Sequence, residues 1–201
     1  MNEITLGGYI RNIQYSHSIG DVIYDKAELI TKRPDGKEDI IQLRFKKFTN
    51  PYQENQYVEL VGNLRSYSQN GEDGKNHIII YVHTYFDLPT MVDEDITNSF
   101  TLDGRVCKIE GSRISKNGAK SYQFILANNI ITQNGKKLNV YIPMIAWGKT
   151  AVALEGQLEV GKKITVFGSL HSRLYKKSLG NDDFEYRTAY EGIVLNYELE
   201  D

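Results

Sequence analysis

Apolar residues in this chain recur mainly at alternate positions, in runs bounded by Gly, Pro, Asn and Asp, and that is the period of β-strands. The pattern predicts strands near residues 3–14, 23–32, 39–48, 57–67 and 76–86, then near 99–110, 119–131, 137–147, 162–175 and 185–197. Pro34, Asp35 and Gly36 mark one hairpin turn, and Asn134 with Gly135 marks another at the matching place. Helical spacing occurs at Ala151, Val152, Leu154 and Leu158, after a break at Gly148. The gap at the equivalent earlier point, Thr49 to Gln56, holds Pro51 and little apolar material, which predicts a loop or a single turn.

The chain also repeats itself. Thr5, Leu6, Gly8, Ile10 and Ile13 recur as Thr101, Leu102, Gly104, Val106 and Ile109, an offset of 96. Val58, Leu60, Gly62, Leu64 and Ser66 recur as Ile164, Val166, Gly168, Leu170 and Ser172, an offset of 106. The repeat therefore spans one domain of five strands, with an insertion between the first and fourth strands of the second copy. The polar, Pro-containing stretch 88–98 reads as a linker or crossover. The expected organisation is a first domain over 1–88, a linker over 89–98 and a second domain over 99–201.

The third strand of the second copy stands apart. Over Asn139 to Lys149, alternation puts Val140, Ile142, Met144 and Ala146 on one face and Tyr141, Pro143, Ile145 and Trp147 on the other. Both faces are apolar. At about 3.3 Å per residue, Tyr141 and Trp147 would stand about 20 Å apart on one face, a span over which an extended polynucleotide could stack several bases. A strand buried on both sides, under a helix or a partner subunit, fits the same pattern.

Composition narrows the field. The 201 residues include 14 Tyr, 7 Phe and only 4 Pro, which points to an ordered chain with a substantial core. The single Cys107 cannot form an internal disulfide, and His17, His77, His83 and His171 stand apart, so no metal set or cofactor is expected. No apolar run is long enough to span a bilayer and the first residues show no basic leader, so the expectation is a cytoplasmic protein with no membrane partner. The formal charge of −2 argues against a nucleic-acid partner taken as a whole, yet the charges are unevenly spread. Basic residues collect at Arg44, Lys46 and Lys47, at Lys136 and Lys137, at Lys162 and Lys163, and at Arg173, Lys176 and Lys177, several beside aromatics at strand ends. No phosphate-binding glycine loop and no nucleophile context is visible, so no catalytic residue is named and no enzyme is expected.

Five strands with a helix between the third and fourth is the order of an OB-fold, and the predicted fold class is all-β, two tandem five-stranded Greek-key barrels. Phe124, Ile125, Leu126 and Ala127, the run Ala146-Trp147-Gly148-Lys149-Thr150-Ala151, and the run Val166-Phe167-Gly168-Ser169-Leu170 carry a further signal. In order and spacing, the region 99–197 resembles the bacterial and phage single-stranded DNA-binding protein family. That resemblance implies base stacking on Tyr141, Trp147 and Tyr175, with Lys149, Arg173, Lys176 and Lys137 tracking phosphates. Periodicity agrees independently in leaving His171, Arg173 and Tyr175 on the outer face of the ninth strand.

The resemblance implies single-stranded DNA as partner, bound with little sequence preference, in replication, recombination or repair. It also implies a homodimer in which two chains supply four barrels, with replication or recombination proteins as further partners. Two departures stand out. Asn128-Asn129-Ile130-Ile131-Thr132 lacks an aromatic the family usually carries, and the chain ends at Tyr197 to Asp201 without an acidic-tipped tail, which points to a phage or mobile-element form.

The first copy is differently equipped. Its third strand turns Ile41, Leu43 and Phe45 inward and Gln42, Arg44, Lys46 and Phe48 outward, and its fourth adds Arg65 and Tyr67 to the outer face. Such a face would hold a phosphate chain with few stacking contacts, or pair with another subunit or barrel. The long hairpins after the fourth strands, Ser68 to Asn76 and Lys176 to Asp183, are Gly-containing and mixed in charge, and would clamp a strand or be solvated loops. Two other functions remain open: a protein-interaction module in a replication or conjugation complex, and single-stranded RNA binding.

Overall fold

A computed structural model describes residues 1–47, 52–70, 76–88, 97–132, 135–180 and 183–200. In chain order its elements are β1 (Asn2–Ile19), β2 (Val22–Lys32), β3 (Glu38–Lys46), β4 (Tyr57–Asn70), β5 (Asn76–Leu88), β6 (Asn98–Ile114), β7 (Lys120–Ile131), β8 (Lys137–Trp147), α1 (Gly148–Glu155), β9 (Lys163–Gly180) and β10 (Asp183–Leu199). Every predicted strand and the predicted helix is present. Most of the extra length in the second repeat sits in the connection holding α1: β3 and β8 begin at 38 and 137, whereas β4 and β9 begin at 57 and 163.

Several strands run beyond their apolar pattern. β9 and β10 stay paired out to Gly180 and Asp183, so the described part of the hairpin Lys176 to Asp183 is a two-stranded ribbon rather than a solvated loop. Backbone ladder hydrogen bonds hold such a ribbon without a buried face, and alternation of apolar residues is then absent. β4 likewise continues to Asn70. Residues 71–75 of that hairpin, residues 89–96 of the expected linker, and Phe48, Pro51 and Asn134 lie outside the described residues.

The chain groups into two compact units, one comprising residues 3–65 and 80–99, the other residues 1–2, 66–79 and 100–201. In the first repeat the strand order is β2-β3-β5-β4-β1, closed by β1–β2 pairing, with β3 and β5 parallel. In the second it is β6-β7-β8-β10-β9, closed by β6–β9 pairing, with β8 and β10 parallel. Each repeat is thus a closed five-stranded Greek-key barrel of the OB-fold type, and the chain is all-β apart from α1.

The glycines of the sequence repeat explain how the barrels close. A Cβ on Gly8 would lie 2.4 Å from the Ile30 carbonyl oxygen, and one on Gly104 would lie 2.6 Å from that of Ala127. Gly62 and Gly168 stand in the same relation to His83 and Ile193, at 2.6 and 2.1 Å. At these crossings backbone meets backbone, with no room for a side chain. β1 bends at a register shift near Asn12, and β6 does so near Gly111, whose φ of 88° suits glycine.

Alternate residues fill each interior. Ile4, Leu6, Leu29, Leu43, Leu60 and Leu64 are fully buried in the first repeat, as are Leu102, Leu126, Ile142, Ile164, Val166 and Leu170 in the second. α1 adds Ala151 and Leu154 to the second core, while Val152 faces solvent and Leu158 follows the helix rather than continuing it. The first repeat has no helix among its described residues in that connection, and Tyr52 fills its core there instead, buried with its ring edge-on to Phe45 at 4.8 Å. The Pro34–Gly36 turn closes through Gly36 N–H to Arg33 carbonyl at 2.9 Å, and Arg33 Nε donates to the fully buried Asp39 at 2.7 Å.

Replacing Gly168 by Ala is expected to destabilise the second repeat by roughly 3 kcal/mol, because the new methyl meets rigid backbone on β10. Urea denaturation followed by Trp147 emission measures it, and Ser169→Ala, on the same strand but facing outward, is expected to shift the midpoint little.

Candidate nucleic-acid interface

β8 departs from a simple half-buried strand on its outer side. Val140, Ile142, Met144 and Ala146 are all within the core, as expected. On the other face Tyr141 is 38% exposed and Trp147 44%, whereas Ile145 between them is buried and Pro143 half-buried. The aromatics thus stand at the two ends of an apolar floor. Lys137, two alternations before Tyr141, is exposed on the same side of β8.

Pairing registers extend this face across the barrel. Ile145 pairs with Ile193 of β10, and from there Glu191 lies opposite His171, Ala189 opposite Arg173 and Arg187 opposite Tyr175 on β9. Directly paired residues project to one side, so Tyr141, Trp147, Arg173 and Tyr175 share one continuous surface. The Arg173 guanidinium lies 5.6 Å from the Tyr175 ring centroid and 3.1 Å from Glu191 Oε1. Lys176 projects to the opposite side of the ribbon, with its ammonium 3.4 Å from the Phe184 ring centroid. The structure therefore separates Lys176 from the surface that holds Arg173 and Tyr175.

The corner after Trp147 is set by Gly148, whose φ of 56° turns an extended Trp147 into α1 within one residue. Lys149 follows, exposed in the first turn of the helix. The far end of α1 is tied down by Glu155, which accepts from Ser112 Oγ at 2.5 Å and pairs with Lys120. Those two donors, Lys120 the stronger, hold the Glu155 carboxyl below its ordinary value.

Two contacts on this surface have no local sequence signal. β8 pairs with β10 over Met144–Ala146, and further along the same strand the Tyr141 N–H donates to Ser66 Oγ at 2.8 Å. Arg187 Nη1 donates to His77 Nε2 at 2.7 Å, which assigns the Nδ1–H tautomer to that histidine. Ser66 and His77 come from the β4–β5 hairpin but belong to the same compact unit as β8 and β10.

In the first repeat, Arg44 and Lys46 project outward from β3 as expected, and Arg65 and Tyr67 share a side of β4. Arg65 is half-buried and Tyr67 exposed. What sequence reasoning missed is the company Arg44 and Arg65 keep. Arg44 lies opposite His83 on β5, and its guanidinium sits 4.2 Å above the Tyr81 ring. Tyr24 of β2 stacks on His17 at 4.9 Å and lies 6.0 Å from His83. The alternation of Tyr81, His83 and Tyr85 along β5 was visible in the sequence, but not which face it occupied.

Against this geometry, residues 97–196 match the single-strand binding protein family. The second repeat belongs to that family. A single-stranded DNA-binding protein of Caldanaerobacter subterraneus subsp. tengcongensis is 30% identical over 86 residues, covering 42% of this chain and 57% of its own length. The chain thus spans little more than half of that relative. Among solved structures, the single-stranded DNA binding protein of Thermus aquaticus superposes over the whole of this chain and 93% of its own, with TM-score 0.71 at 16% identity. A deletion mutant of the same protein covers 94% of its chain with TM-score 0.73 at 15% identity, a likeness of fold that takes in both repeats. Among the described residues, no helix is long and apolar enough to cross a membrane and no cluster suits a metal ion.

Gly148→Ala is expected to cost about 1 kcal/mol through its left-handed backbone and to displace the Trp147 ring. Thermal denaturation would record the loss, and a shifted emission maximum of the folded variant would record the displacement.

Proposed function

We propose that this protein binds single-stranded DNA with little sequence preference, and that it is a binding protein rather than an enzyme. The observation that carries the reading is the outer face of the second repeat, where Tyr141, Trp147 and Tyr175 frame an apolar floor beside Arg173 and Lys137. Bases of any identity stack on aromatic rings, each contributing on the order of 1 to 3 kcal/mol, while the cations follow the phosphates. Family membership of that repeat supports the ligand, and the named relatives are single-stranded DNA-binding proteins.

The organisation we propose is two barrels, 1–88 and 99–201, joined through 89–98, acting as a cytoplasmic homodimer with four barrels. Its setting would be replication, recombination or repair of phage or mobile-element DNA. In the second barrel Lys149 extends the phosphate track past Trp147, and Lys176 serves the opposite side of the β9–β10 ribbon. In the first barrel Arg44, Lys46, Phe48, Arg65 and Tyr67 form the corresponding surface. The formal charge of −2 is compatible with this arrangement, because the basic residues are clustered rather than evenly spread.

Titration with a poly-pyrimidine oligonucleotide at two salt concentrations, following Trp147 emission, tests the reading. Strong quenching by the single strand and not by duplex DNA is expected. Trp147→Ala and Tyr141→Ala should each weaken binding by about 1 to 3 kcal/mol in every base context. Lys137→Ala and Lys149→Ala should each reduce the slope of log affinity against log salt by about 0.7. Absence of binding at either salt would overturn the reading in favour of a protein-interaction module, and tighter binding of an RNA oligonucleotide would change the ligand.

A further inference from the structure

The first repeat carries a second cationic centre whose chemistry differs from the aromatic face just described. All five of its strands contribute: His17 from β1, Tyr24 from β2, Arg44 from β3, Arg65 from β4, and Tyr81 with His83 from β5. Arg44 and His83 are register partners, and His17, Tyr24 and His83 form a chain of rings at 4.9 and 6.0 Å. Among the described residues, Arg65 Nη1 is buried with no hydrogen-bond partner. A guanidinium N–H removed from water without an acceptor is costly, and an anion arriving beside it recovers that cost.

We infer that Arg65, His83 and Arg44 form a binding pocket for a backbone phosphate of single-stranded nucleic acid, with Tyr24 and Tyr81 as its aromatic walls. Arg65 supplies the unsatisfied donor. Arg44, held above Tyr81, supplies a second fork, and the His83 imidazole supplies a further N–H once protonated. The inference rests on the reading that the chain binds single strands, and adds a site of different character in the repeat outside the matched family region.

The surroundings of His83 give the pocket a signature. Burial pushes its pKa below the ordinary value, and Arg65, His17 and Arg44 push it further the same way. The groups facing it are His17 on β1, Tyr24 and Lys26 on β2, Arg44 and Lys46 on β3, Arg65 on β4 and Tyr81 and Tyr85 on β5. Glu28, further along β2, is engaged by Asn12 and Gln42. Burial likewise lowers the Arg65 pKa, against the opposing influence of Tyr81, but a guanidinium stays charged. A phosphate entering the pocket reverses the local potential, so His83 gains a proton on binding. Affinity must then rise as pH falls through the range of histidine titration.

The test uses the full chain and a poly-pyrimidine deoxyoligonucleotide, with His83 ring resonances followed by NMR across pH and Trp147 emission read on the same samples. We expect His83 to titrate below the ordinary histidine range in the free protein and higher in the complex, with binding severalfold tighter near pH 5.5 than near pH 8. His83→Gln should flatten that dependence, and Arg65→Gln should reduce the salt slope, with Trp147 quenching retained in both. Quenching with no movement of His83, and with unaltered pH and salt dependence in both variants, would overturn the pocket while leaving the second repeat's site intact. Loss of quenching in the wild-type protein would overturn the single-strand reading itself, and the pocket with it. Inorganic phosphate alone, at the oligonucleotide's phosphate concentration, should leave His83 unmoved. An equal shift would make this a free-phosphate site and overturn the polynucleotide assignment.

Discussion

Backbone touching backbone is the constraint on which both barrels depend. A five-stranded sheet closes only if its first and fourth strands bend across neighbours at very short range, and here Gly8, Gly62, Gly104 and Gly168 each face a carbonyl oxygen with no space for a methyl group. Closure fixes the sense of every strand's two faces. With the inward set of β8 committed to the core, its other set has to be presented outward, and that is how Tyr141 and Trp147 come to stand on the surface. Site and scaffold are therefore consequences of the same crossings, which is why the repeat is most legible at its glycines.

The two outer faces differ in chemistry on barrels of the same strand order. In the second repeat a floor of Pro143, Ile145 and Ile193 lies between aromatic ends, and Arg173 is already shared between Glu191 and the Tyr175 ring. In the first, two guanidinium groups and an imidazole are gathered among tyrosines. One face is suited to the flat surfaces of bases and the other to the charge between them.

Strand number, helix position and core membership were legible because a period of two with glycine punctuation is a direct imprint of a closed sheet. Arg173 and Tyr175 could be placed on one face for the same reason, and Trp147 at the corner because Gly148 follows it. The resemblance groups Lys176 with them, although the same alternation along β9 already turns it to the other side, where its ammonium meets the Phe184 ring. The ribbon extensions were missed because polar strands beyond a core carry no hydrophobic period. Contacts such as Ser66 with Tyr141 or Arg44 with His83 join residues distant in sequence, and no local pattern encodes them.

One of those contacts bears on how the chain can be divided. The compact unit built on the second repeat is discontinuous, because it takes in residues 66–79 from the first half of the chain. Removing the first half of the chain by a cut in the polar stretch before β6 would follow the boundary suggested by composition, yet take Ser66 from the Tyr141 N–H and the His77 imidazole from Arg187. The second half taken alone would lack two contacts at the edge of the surface that carries Tyr141 and Tyr175. Through one hairpin, a chain that repeats itself in sequence is not divisible at the midpoint of its repeat.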